Sequence, residues 1–227
     1  DRRQRQMCIR DRCVPFAFIG AGNAIQSNVN KVEDWLPKNY AETGELSWFR
    51  KNFPSDQFII ISWEGCTLTD DPEGDPAGDD PRIAKLASLV HPSEANPDDP
   101  DSAEALKFFK GVTTGRTLIN QLTGGQYPLP YPEAVERLKG SVIGADGRQT
   151  CVVVSLDPTT TSKLKPVLGH EQKRIFRPNV PACVLRRLIA KAGIEDPQLH
   201  MGGPPVDNIS IDEEGERTLV RLAGFSG

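Results

Sequence analysis

Few side chains in this sequence have the reactivity for covalent or acid–base chemistry. There are three histidines and five cysteines in 227 residues. A cysteine nucleophile needs a histidine to take its proton, and flanking elements must bring the two together in space. Of His91, His170 and His200, two stand in loop-like sequence, and no local pattern sets any of them beside a thiol. No catalytic residue is expected. The acids Asp70, Asp71, Glu73, Asp75, Asp79 and Asp80 have the chemistry of a calcium site, but not its spacing. A helix–loop–helix calcium loop needs Gly at its sixth position and Glu at its twelfth. The prolines and glycines between these acids predict a solvated loop and no metal. Gly202-Gly203-Pro204-Pro205 and Gly111–Gly115 match neither phosphate-binding fingerprint, and the first runs into prolines, which offer no backbone donor. No cofactor is expected. The Gly202–Pro205 run reads instead as a rigid corner, or hinge, between a last strand and a tail helix.

The elements that would position these residues belong to a chain of 24.9 kDa, enough for a real core in one large domain or two small ones. Its net charge of -4 disfavours nucleic acid and anionic membrane surfaces as partners, and no basic stripe interleaves with aromatics. With 20 glycines and 19 prolines, long loops are expected. No window approaches the ~18 continuous apolar residues of a membrane span, and Val14–Gly22 is roughly half of one. Asp1–Cys13 is highly charged, without apolar period. It resembles translated adapter read-through and reads as a non-native or disordered segment, a native basic flank being the competing reading.

Asn23–Asn39 is polar and irregular, with Trp35-Leu36-Pro37 as a docking point. Glu42–Asn52 predicts a short helix presenting Leu46, Phe49 and Phe53, stopped by Pro54. Gln57–Trp63 predicts a central strand buried on both faces. After the acidic stretch Thr67–Asp80, a helix starts at Asp80-Pro81 with Ile83, Leu86, Ala87 and Val90 on one face. His91–Ser102 reads as a second acidic loop and Lys107–Leu122 as strand around a turn at Gly115. Pro132–Lys139 reads as a short helix. Ser141–Ile143 and Thr150–Leu156 flank Asp146-Gly147, a hairpin turn, and the second arm again reads as a central strand. Thr159–Asn179 is a linker. Pro181–Ala192 carries the clearest amphipathic pattern, with Gly193 as its stop. Leu199–Gly202 is a last strand, and Ser210–Phe225 a tail helix that becomes more apolar toward Leu222–Phe225.

With the first helix and the one at Pro132 set aside, the order is β-α-β-β-α-β. This is the ferredoxin-like split β-α-β pattern of an α+β domain, with an antiparallel sheet and helices on one face. Three stretches then carry a family resemblance: Asn23–Pro37 (NAIQSNVNKVEDWLP), Phe49–Leu68 (FRKNFPSDQFIIISWEGCTL) and Gly202–Leu219 (GGPPVDNISIDEEGERTL). As an ordered set they resemble the first periplasmic loop of resistance-nodulation-division (RND) exporters, closest to the MMPL-like branch, over roughly Val14 to Gly227.

The resemblance implies a first membrane helix ending over Val14–Gly22, a periplasmic porter domain over 23–209, and a helix over 210–227 leading into a second membrane helix. It implies the bacterial inner membrane as location. Its partners would be the remainder of the same transporter chain, membrane lipid, and a lipid or other hydrophobic cargo moved at the expense of a proton gradient. The family's proton-relay acids lie in membrane helices, so no residue here inherits that role.

Cys66 follows the first strand and Cys151 opens the third, which this topology makes antiparallel neighbours. A disulfide is expected there, closing a loop of about 85 residues for ~4 kcal/mol in the chain-entropy model. It would suit an oxidising periplasm. Cys183 is expected to pack as a small apolar residue. Trp35, Trp48, Phe108 and Phe109 are equally readable as cargo contacts or core. The alternatives are a free-standing cytoplasmic ferredoxin-like binding or regulatory module, favoured by distant reduced thiols, and a small hydrolase, favoured by a Cys–His pair in a cleft.

Overall fold

The computed structural model describes residues 37, 40–52, 57–69, 71, 73–94, 96, 98–157, 160, 164–169 and 183–225. The expectations for Asp1–Cys13, Val14–Gly22, Trp35, Phe53, Asp70 and His170 lie outside these residues. The chain divides into two compact units, Glu45–Ile209 and a second made of Asp1–Gly44 with Ser210–Gly227. The helices α1 (Ala41–Asn52) and α8 (Pro204–Phe225) each cross that division.

Period-two alternation organises the larger unit. In β1 (Phe58–Trp63), Ile59, Ile61 and Trp63 are fully buried, while Ile60 points to the other face and is 39% exposed. In β3 (Val152–Leu156), Val152, Val154 and Leu156 are buried and Val153 and Ser155 only half-buried. With β2 (Phe109–Thr114) and β4 (Leu199–Gly202) these strands form a four-stranded sheet of order β2-β3-β1-β4. All neighbours are antiparallel, with Ile60 opposite Val153 and Gly202, and Val153 opposite Thr113. The two most apolar strands are central, as their composition predicts. Burial on both faces is not what places them there, since each half-exposes its second face.

One layer of helices roofs the inward face. The helix α2 (Pro81–Val90) supplies Ile83, Leu86 and Val90, and α7 (Val184–Ala192) supplies Val184, Leu185, Leu188, Ile189 and Ala192 to the same core. Asp80 caps α2, accepting from Arg82 N at 3.0 Å, with Pro81 in the first turn. Gly193, at φ +89°, stops α7 in the left-handed conformation its sequence signal predicts. The fold is therefore α+β, with a helical layer on one face of an antiparallel sheet. A smaller core of Leu68, Ile119, Ala134, Val135 and Ile143 lies between α4 (Gly115–Thr123), α5 (Tyr131–Leu138) and the turn that follows.

Several expectations are corrected. The Lys107–Leu122 strand region ends at Thr114, whose hydroxyl caps α4 by accepting from Thr117 N at 3.1 Å; the chain is helical from Gly115. The loop His91–Ser102 contains the start of α3 (Pro100–Ala105), launched by Asp99-Pro100 just as Asp80-Pro81 launches α2. Ser141–Ile143 forms no strand, only isolated bridges from Ile143 to Lys139 and to Thr150, although the Asp146-Gly147 turn closes with Gly144 N donating to Gln149 O at 2.8 Å. The linker 159–179 contains α6 (Leu164–Leu168), anchored by buried Leu164, Val167 and Leu168. The tail helix begins at Pro204, six residues before Ser210. Among the described residues, no helix is long and apolar enough to cross a membrane.

Alternation makes a sharp contrast between adjacent isoleucines. Ile61→Ala should cost about 2–5 kcal/mol through loss of contacts and a residual cavity, and Ile60→Ala well under half of that. Urea unfolding of both variants checks it; equal losses would show that the second face is as tightly covered as the first.

Candidate functional site

Strand pairing does bring the Cys66 and Cys151 backbones together: Thr150 N donates to Cys66 O at 2.9 Å. The expected disulfide is nevertheless not formed in this structure, where both are free thiols. Both thiols are buried, and Cys66 belongs to the core beneath the helices. The Cys151 thiol points to Val142 O at 3.8 Å. Burial, then the charge of Asp80 and the proximity of Cys151, push the Cys66 thiol up to about 12. Burial also raises Cys151 and Cys183. Protonated thiols are neither nucleophiles nor metal ligands. Cys183 packs in the core as expected and also serves at the start of α7, its sulfur accepting from Arg186 N at 3.4 Å.

The Gly202–Pro205 run is a strand-to-helix junction in which each residue has a distinct place. Gly202 ends β4 opposite Ile60. Gly203 adopts φ +118°, and a Cβ there would collide with Phe58 O. Pro204 and Pro205 open α8, where a missing backbone donor costs nothing, while Val206 N and Asp207 N donate to Gly203 O at 2.9 and 3.1 Å. At this corner the backbone of β1 leaves no room for a side chain.

The acidic stretch, expected as a solvated loop, is pinned by its own acids. Asp79 takes a bidentate contact from Arg116, Nε at 2.7 Å and Nη2 at 2.6 Å, and both side chains are largely buried. Arg116 Nη1 donates to Gly74 O at 2.9 Å, and its guanidinium lies 5.5 Å from the Tyr131 ring centre. The Tyr131 hydroxyl donates to Thr69 O at 3.3 Å, and Thr69 N to Asp79 Oδ1 at 2.9 Å. Asp75 accepts from Ala77 N at 2.9 Å, opening a short 3-10 turn over Pro76–Gly78. Asp80 accepts from Trp63 Nε1 at 2.7 Å and from Arg82 Nε at 3.0 Å, and the Arg82 guanidinium sits 5.6 Å from the Trp63 ring centre. Burial alone would raise the Asp80 carboxyl, but Arg82 and the Trp63 indole outweigh it and hold it below the usual aspartate range.

A second charge cluster joins α3 to α7. Arg187 reaches Asp101 at 2.8 Å and Glu104 at 2.7 Å, while Lys191 reaches Asp99 and Asp101, each at 2.7 Å. Lys191, then Arg187, lower the Asp101 carboxyl against its partial burial. Among the described residues no group of three or more His, Cys, Asp and Glu has the arrangement to hold a metal ion.

The described histidines stand apart from this chemistry. His91 Nδ1 accepts from Ser93 N at 3.2 Å just after α2. His200 is exposed on β4 opposite Ser62, whose hydroxyl donates to Thr150 O at 3.0 Å. Of the aromatic candidates, Phe109 is core and Phe108 packs against it, whereas Trp48 on α1 is 62% exposed. Sequence reading missed one surface: the second face of the sheet, where Phe58, Ile60 and Val153 form an apolar stripe bounded by Gly111, Ser155, Thr113 and Gly202. The signal lies in the Gln57–Trp63 run, whose four consecutive apolar residues predict cover on both faces while Ile60 is 39% exposed. No family model, curated protein or solved structure matches this chain.

Because the folded carboxyl of Asp80 is lowered, its stabilisation is present above the ordinary aspartate pKa of ~3.9 and is lost as pH falls through the lower folded value. Urea titrations from neutral to acid pH should therefore show a falling midpoint. Asp80→Asn should remove about 1–3 kcal/mol at neutral pH and flatten the acid limb; an unchanged acid limb would refute the assignment.

The thiols give an independent check. Maleimide at neutral pH, followed by peptide mapping, should leave Cys66 and Cys183 unmodified in the folded protein and label both in denaturant. Native labelling of Cys66 at the denatured rate would contradict its burial.

Proposed function

We propose that this chain is the extracytoplasmic porter domain of a proton-driven RND exporter of the MMPL-like branch, handling a lipid or other hydrophobic molecule. The observation that supports it best is the strand order β2-β3-β1-β4 with antiparallel neighbours throughout. Each helical crossover, β1 to β2 and β3 to β4, then joins next-but-one strands that run parallel. This order supports the reading as a ferredoxin-like split β-α-β domain, the fold implied by the resemblance of Asn23–Pro37, Phe49–Leu68 and Gly202–Leu219. In this reading the chain is not itself an enzyme. Its partners are the rest of the transporter, membrane lipid and the cargo.

The junction at Gly203 fits such a role mechanically. The sheet passes into a 22-residue helix with no loop between them. A displacement of the first turn of α8 would be carried into β4, because Gly203 lies against the backbone of β1 and the two prolines restrict that turn. The part this chain plays is conformational: it receives movement made elsewhere and changes the shape of a passage.

A second reading, the free-standing ferredoxin-like binding or regulatory module, is favoured by the thiols. Cys66 and Cys151 are free thiols, a state that needs no oxidising compartment.

Reporter fusions separate the two. The gene is expressed with its own flanking coding sequence, and alkaline phosphatase or a fluorescent protein is joined within the acidic loop near Asp75. The exporter reading expects phosphatase activity and no fluorescence from the fluorescent fusion; fluorescence in the soluble fraction without phosphatase activity would overturn it in favour of the module.

The junction yields its own test. In the full-length protein, Gly203→Ala should reduce export at least several-fold while membrane insertion and protein level are unchanged. Undiminished export would remove the mechanical role from the corner.

A further inference from the structure

We draw no further inference here: the strongest candidate, the apolar stripe of Phe58, Ile60 and Val153 on the second face of the sheet, carries nothing because nothing in the structure shows what covers it.

Discussion

The indole of Trp63 imposes the constraint on which the rest of this fold depends. Among the described residues it is the largest fully buried side chain, and it ends the inward row of β1. A buried indole must give its N–H a partner, or lose about 1–3 kcal/mol for the unmet donor. Asp80 meets that demand and, with its other oxygen, caps α2. One carboxylate thus fixes where the first crossover helix starts relative to the strand below it. Arg82, in the first turn of α2, returns to the same carboxylate and covers the ring. Once α2 is set in this way, Ile83, Leu86 and Val90 join the core with the inward rows of the sheet, and α7 has a wall to pack against.

The parts of this structure that were legible in sequence are those whose information is local. Asp80-Pro81 carries its own capping signal, Gly193 its own stop, and Phe58–Trp63 its own β pattern. The central position of β1 and β3 could be read because four apolar residues in a row have few other uses. What stayed hidden depended on partners far along the chain. The acidic stretch reads as solvated because Asp79 meets Arg116 only across 37 residues, after β2 and α4 have formed. The cap at Asp99 was obscured by the acids and prolines around it. The cysteine pair shows a finer limit: topology places two backbones side by side, but backbone adjacency does not by itself set the specific geometry a disulfide requires.

Acidic residues do two different kinds of work here. Asp79, Asp80 and Asp101 sit in contact with arginine or lysine and organise backbone, while the surface acids keep a chain of net charge -4 well hydrated. The inward acids cluster where the chain leaves one strand or helix and enters another. Loops rich in proline and glycine have little hydrophobic surface to hold them, and a bidentate arginine contact replaces it. Composition cannot separate these two groups of acids, because both look like solvated charge in sequence.

The order of the sheet also bears on how the chain comes to be folded. Among the described residues, β1 pairs with β3 and β4 alone, and β2 has no neighbour but β3. During synthesis an apolar Phe-Ile-Ile-Ile segment therefore waits for a partner until residue 152 has emerged, on the order of 5–20 s at ribosomal rates of ~5–20 residues per second. Through that interval it is a bare strand with two open edges, the kind of segment that joins other chains. The intervening α2 and its cap are then more than a crossover. They form locally, and the bond from the Trp63 indole to Asp80 can tie the helix to the end of the waiting strand before the sheet exists. Central strands give this fold its strongest pairing and its most exposed moment, and the same six residues account for both.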